Sequence, residues 1–160
     1  MDITAIRDEL LHDPDPALRR RRTIATIAAF LAAEFALLGL RQYGVIRRLP
    51  DVPLPGFDAN AITTARAAYP FGIPDTALAV IGCGSLIALA TAGGRSGRSR
   101  WLDRGLVAGV AAGALGAVVY LAQMVKLRRV CAYCVTGAAG LLALVPLVRG
   151  VRRKDSTLRG

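Results

Sequence analysis

GLVAGVAAGALGAVVYLAQMV, residues 105–125, runs for 21 positions without a charge. At about 1.5 Å of rise per residue such a stretch reaches about 30 Å, the thickness of a hydrocarbon core. It is apolar all round, with no polar face at the period of about 3.6 that a helix on the outside of a soluble bundle needs. Three more runs share its character: Thr23 to Leu40, broken only by Glu34, and the uncharged Thr76 to Gly94 and Val130 to Val148. The chain is 54% hydrophobic yet carries a net charge of +10, so apolar and basic residues must be segregated along it. This pattern predicts an all-α integral membrane protein, a four-helix transmembrane bundle with spans at about 23–45, 74–94, 105–125 and 130–148. Residues 23–148 form one membrane domain, preceded by a cytoplasmic lead, 1–22, and followed by a basic cytoplasmic tail, 149–160.

The Lys and Arg distribution sets the orientation. With the first 22 residues inside, 14 basic residues fall in inside segments and 7 (Arg41, Arg47, Arg48, Arg66, Lys126, Arg128 and Arg129) in outside ones, which favours N-in and C-in. The positive balance therefore reads as topology; no stretch outside the spans is long enough for a soluble nucleic-acid-binding domain, so the expected partner is the lipid bilayer. Arg19 to Arg22 precede an apolar run too long for a signal peptide, and no small-residue cleavage site follows, so the first helix is expected to stay as an anchor. In the lead, a helix around Ile3 to Leu11 should stop at Asp13-Pro14-Asp15-Pro16, and the segment reads as mobile.

The one long loop, Arg41 to Ile73, is broken by Pro50, Pro53, Pro55, Gly56, Pro70 and Gly72. Structureless loops of this length are usually functional or disordered. Within this outer loop, Asp58 or Asn60 is placed to cap a short helix through Tyr69, with Ile62, Ala65 and Tyr69 on one face. Gly105, Gly109 and Gly113, at four-residue spacing, suit close helix approach in lipid. Glu34 falls near mid-depth of the first span, where a charge is expensive, and Ser85 reaches a similar depth as a candidate partner.

The chemistry concentrates at Cys131-Ala132-Tyr133-Cys134, where the fourth span begins. Two cysteines at this spacing can close a disulfide at a helix start. The unpaired N–H groups there, together with Arg128 and Arg129, favour a thiolate, the nucleophile of disulfide exchange. The alternatives are an inert pair packed in the bundle or half a metal site. Tetrahedral zinc needs two more ligands, and only Cys83 and His12, on the opposite side, remain, so no metal is expected.

The stretch from Tyr120-Leu-Ala-Gln123 through Cys131-Ala-Tyr-Cys134, and Phe71-Gly-Ile-Pro74 opening the second run, resemble the vitamin K epoxide reductase family of membrane thiol oxidoreductases. The resemblance covers roughly residues 23 to 148. It implies a four-helix bundle in the cell inner (cytoplasmic) membrane that holds a quinone, menaquinone or ubiquinone, beside the Cys-x-x-Cys. It also implies electron flow from an exported thioredoxin-like donor protein, supporting disulfide formation in exported proteins. Cys134 would face the quinone and Cys131 exchange with thiols; Asp75, Gln123, Cys83 and Tyr120 are the candidate quinone-binding residues. Three departures stand out. Phe57-Asp58-Ala59-Asn60 resembles the family's Cys-Asp-x-Asn with the cysteine replaced, and the loop contains no cysteine, so the internal relay is absent. Asp75 follows Pro74 where the family often has Asn, and an ionised carboxylate only accepts hydrogen bonds. Cys83 stands where an aromatic residue is common, nine residues into the second run and deeper than Cys134. The rival reading is a non-enzymatic membrane scaffold or assembly subunit; a carrier is disfavoured by the lack of an inverted repeat.

Overall fold

The computed structural model describes residues 3–92 and 100–152. Six helices account for most of them: α1 Ile3–His12, α2 Pro16–Gln42, α3 Ala59–Thr63, α4 Asp75–Thr91, α5 Arg100–Leu127 and α6 Ala132–Arg152. α2 packs against α4 and α6, and α5 against α6 and α4, so the four longest helices close a ring. α2, α5 and α6 are long and apolar enough to cross a membrane; α4, at 17 residues, is shorter. Their outward faces carry exposed Phe30, Ile81, Leu115 and Val118, apolar surface that is costly to leave in water.

α2 begins well before the apolar run at Thr23. Asp15 accepts a hydrogen bond from the Ala17 N–H and Pro16 opens the first turn, a combination that starts a helix at little cost. α1 ends before Asp13-Pro14 as expected, and Arg22 donates to Leu11 O in its last turn and to Asp13 O just beyond it. Arg21, one of the residues counted as inside charge, is buried. Its guanidinium donates to Leu89 O at 3.2 Å and Ala92 O at 3.4 Å, carbonyls at the end of α4, and pairs with Asp103 at the start of α5. One side chain thereby joins three helices at the end of the ring remote from the cysteines.

Two apolar cores fill the ring. At the Arg21 end, Ile24, Ala28, Leu86, Leu106, Val110 and Leu144 pack together; at the cysteine end, Leu38, Leu49, Ala59, Ile62 and Met124 surround Cys131 and Cys134. The glycine stripe of α5 does not bring helix backbones together. Its glycines receive leucine side chains: a methyl at Gly109 would lie 2.9 Å from Leu86 Cδ2, and one at Gly113 3.1 Å from Leu141 Cδ2. Between α2 and α6 the approach is tighter, with Leu31 Cδ2 only 2.7 Å from a methyl placed on Gly140.

The long loop is ordered by side chains bonding to backbone. Asn60 accepts from Leu49 N–H at 2.9 Å and returns a bond to Leu49 O at 3.2 Å, and it also accepts from Arg41. Asp51 accepts from Ala59 N–H at 2.5 Å. Asp58, rather than Asn60, caps α3, and that helix stops at Thr63, short of Tyr69. The segment Pro70–Gly72 turns in a single 3-10 turn, with Phe71 at φ +59°, and delivers the chain to Pro74, the N-cap of α4.

Candidate active site

Cys131 is the residue before the first turn of α6, so its side chain occupies the N-cap position. Its Sγ accepts the Cys134 N–H at 3.2 Å, as an N-cap oxygen would, and the two cysteines form a disulfide with their Cα atoms 5.1 Å apart. The same N–H and the positive end of α6 lie against Cys131.

The two sulfurs face different surroundings. Cys134 lines an apolar cavity of about 420 Å³ that runs between α4 and α5, past Cys83, Gly109 and Gly113, as far as Leu89. Cys131 is fully buried on the other side, beneath the loop. The loop segment 56–58 lies along the residues just before Cys131 and pairs with them: Val130 N–H donates to Gly56 O at 2.8 Å, and Asp58 N–H donates to Val130 O at 2.9 Å. Asp58 also pairs with Arg129, and Tyr133 OH donates to Pro50 O at 3.0 Å. An external thiol therefore reaches Cys131 only when this strap lifts. The proline and glycine content of the loop allows it to be open or mobile; buried Leu49, Ala59 and Ile62 hold it closed.

Of the four residues expected around a quinone, Asp75, Cys83 and Tyr120 line the large cavity with Cys134. Gln123 does not; it lines a second cavity of about 220 Å³ under the loop, whose wall includes Asp75 and Tyr120 as well. Ser85 is not the partner of Glu34: its hydroxyl donates to Ile81 O within α4 at 2.9 Å, while Glu34 lies beside Gly137 of α6 with Oε2 buried and without a hydrogen bond. His12 lies in α1, and no cluster of three metal-ligating side chains occurs among the described residues.

Gln42, which the sequence does not single out, is the polar hub of the cavity. Its Nε2 donates to Asp75 Oδ1 at 2.7 Å and to Thr63 O at 3.1 Å, while its Oε1 accepts from the Thr76 hydroxyl. The last turn of α2, the loop and the first turn of α4 are joined at this one amide. Nothing local in the sequence links Gln42 to residues 33 and 34 positions away; the available signal was a polar side chain at the end of an apolar run.

The residues present suit a quinone. The cavity walls are apolar, its size matches an aromatic ring with part of a prenyl chain, and it offers one buried polar atom without a partner, Asp75 Oδ2, in the same wall that Cys134 lines. No curated protein matches the chain. A family model does, that of the vitamin K epoxide reductase family, over residues 22–148, and with most of its length covered the chain belongs to that family.

Proposed function

We propose that this protein is a thiol:quinone oxidoreductase of the inner membrane, with α4 as the fourth span, both termini cytoplasmic and the Cys131–Cys134 pair at the outer face. Family membership supports a membrane thiol oxidoreductase. The observation that carries the finer reading is the division of one disulfide between two environments, Cys134 on an apolar cavity and Cys131 under the loop strap.

A thiolate of an exported thioredoxin-like donor attacks Cys131 Sγ, forming a mixed disulfide and expelling Cys134 as thiolate. The donor's second thiol then attacks its own sulfur in that bond, leaving with a disulfide and freeing Cys131. Expulsion of Cys131 is eased by the Cys134 N–H and the helix terminus, which hold negative charge on its sulfur. A quinone bound in the cavity supplies an acceptor for two electrons and two protons, so that the Cys131–Cys134 bond re-forms. The apolar walls keep water from the Cys134 sulfur, and the strap keeps unrelated thiols from Cys131.

The test is quinone-dependent loss of free thiol in the reduced, purified protein, followed for the wild type and for Cys134→Ser. Loss in the wild type and none through the pair in the variant is the expected result. No loss with either menaquinone or ubiquinone analogues would favour the scaffold reading.

A further inference from the structure

Asp75 stands in the wall shared by the two cavities. On one side is the large apolar cavity with Cys134 and Cys83; on the other is the smaller one under the loop, lined by Pro70, Gln123 and Leu127. The two oxygens of its carboxyl are not equivalent. Oδ1 accepts the Gln42 amide at 2.7 Å, whereas Oδ2 is buried and has no hydrogen bond. A buried anionic oxygen with no donor is strongly disfavoured, while a proton on that atom turns it into a donor facing the cavity.

Gln42 decides which oxygen carries the proton. The Thr76 hydroxyl donates to Gln42 Oε1 and Thr63 O accepts from Nε2, so the amide is fixed with its N–H toward Oδ1. An N–H donor on Oδ1 leaves Oδ2 as the site of protonation. The groups that hold this carboxyl or its partner are Gln42 from α2, the backbone N–H groups of Asp75 and Thr76 at the head of α4, and Tyr69 from the loop, whose hydroxyl donates to Gln42 O; elsewhere along the cavity lie Tyr120 from α5, Cys134 from α6 and Cys83 on α4 itself. Arg41, next to Gln42, is turned to Asn60, and Asp75 forms no ion pair among the described residues. No cation holds the carboxyl in its charged form.

We infer that Asp75 is a proton donor to the quinone oxygen in the large cavity, reprotonated from the smaller cavity, with Gln42 as its positioning residue. This rests on the thiol:quinone reading. Oxidation of the Cys131 and Cys134 thiols to their disulfide releases two electrons and two protons, the quantity that converts a quinone to its hydroquinone. Asp75 Oδ2 gives one proton on the cavity side and the Cys134 thiol, on the same cavity, gives the other; the carboxylate left behind regains one through the smaller cavity from outer water, which takes up the proton that Cys131 releases. Asp75 thus does more than replace a hydrogen-bonding amide: it carries a transferable proton, which an Asn cannot.

The test has two parts, both on the full-length protein in lipid nanodiscs. Without any quinone, the infrared difference between wild type and Asp75→Asn at neutral pH should show the carbonyl band of a protonated carboxylic acid, shifted in D2O. Glu34→Gln, measured alongside, identifies the band of the other buried carboxyl. With a short-chain ubiquinone analogue and dithiothreitol, Asp75→Asn should lower kcat about 100-fold, the usual scale for a lost general acid, with KM changed less than about threefold because Asn still donates. The alkaline fall of kcat in the wild type should also vanish in that variant. Gln42→Leu should shift the carboxyl band and the alkaline limb, which a residue of merely structural role would not move. Absence of the Asp75 band, or pH profiles of wild type and Asp75→Asn that superimpose, overturns the assignment and leaves the thiol:quinone reading standing. Absence of quinone reduction by the wild type overturns that reading and the assignment with it.

Discussion

Substituting Asp58 by Ala should open the route to Cys131. The Asp58 carboxylate does two things at once: it caps α3 by accepting the Ala61 N–H at 2.8 Å, and it pairs with Arg129, two residues before Cys131. Loss of an N-cap carboxylate costs about 1 kcal/mol. The ion pair is discounted because Arg129 and Asp58 are 53% and 29% exposed, and contributes about 0.5 kcal/mol. The backbone bonds between the strap and Val130 survive the substitution, as does the burial of Leu49 and Ile62, so closure remains the favoured state. Strap opening should therefore become easier by about 1.5 kcal/mol, or about tenfold in population. The assay is the rate at which a membrane-impermeant phosphine reduces the Cys131–Cys134 disulfide in folded protein. Asp58→Ala should be reduced about tenfold faster than wild type. Asp58→Asn, which keeps a capping oxygen and loses only the ion pair, should gain about twofold. An unchanged rate in Asp58→Ala would show that Cys131 is reached without lifting the strap. Equal rates in the two variants would show that the cap is irrelevant to it.

In Cys134→Ala the free Cys131 thiolate can attack only the disulfide of the oxidised donor, expelling one donor thiolate, and with no Cys134 to displace the donor the resulting mixed disulfide should accumulate on Cys131. Trapping through Cys134 in Cys131→Ala, or through Cys83, would reverse the assigned roles. At the other end of the ring, Arg21→Leu should destabilise the protein by about 3 kcal/mol, read as a lowered Tm in detergent, since it removes the partner of Asp103 and bares carbonyls at the end of α4. An unaltered Tm would mean that the three-helix junction contributes nothing. For topology, an impermeant maleimide applied to intact cells should label Val45→Cys, whose position is exposed in the long loop, and should miss Leu11→Cys, exposed in α1. The reverse pattern would place the cysteine pair on the reducing side of the membrane.

The sequence by itself determined the elements and the cysteine pair. Uninterrupted apolar runs admit little but helices in a lipid setting, because every backbone polar group must then be satisfied within its own segment. Those runs reappear within α2, α4, α5 and α6. The Cys-x-x-Cys spacing is equally local: three residues at the head of a helix bring two sulfurs within bonding reach whatever surrounds them. The tertiary structure alone decided what depends on residues distant in the chain. Arg21 reads as one of four consecutive surface charges, yet the meeting of α2, α4 and α5 buries it. Glu34 and Ser85 share a depth but not a face, and depth is all that position in a run conveys. The resemblance assigns Cys131 to exchange with outside thiols, yet the loop covers it because Leu49, Ala59 and Ile62 find an apolar seat beside it. Gln42 and Asp75 meet across 33 positions, on helices whose relative rotation no local periodicity encodes. It is this rotation, set by the packing of four helices around one cavity, that turns a polar residue at the end of a span and an acid at the start of another into one site.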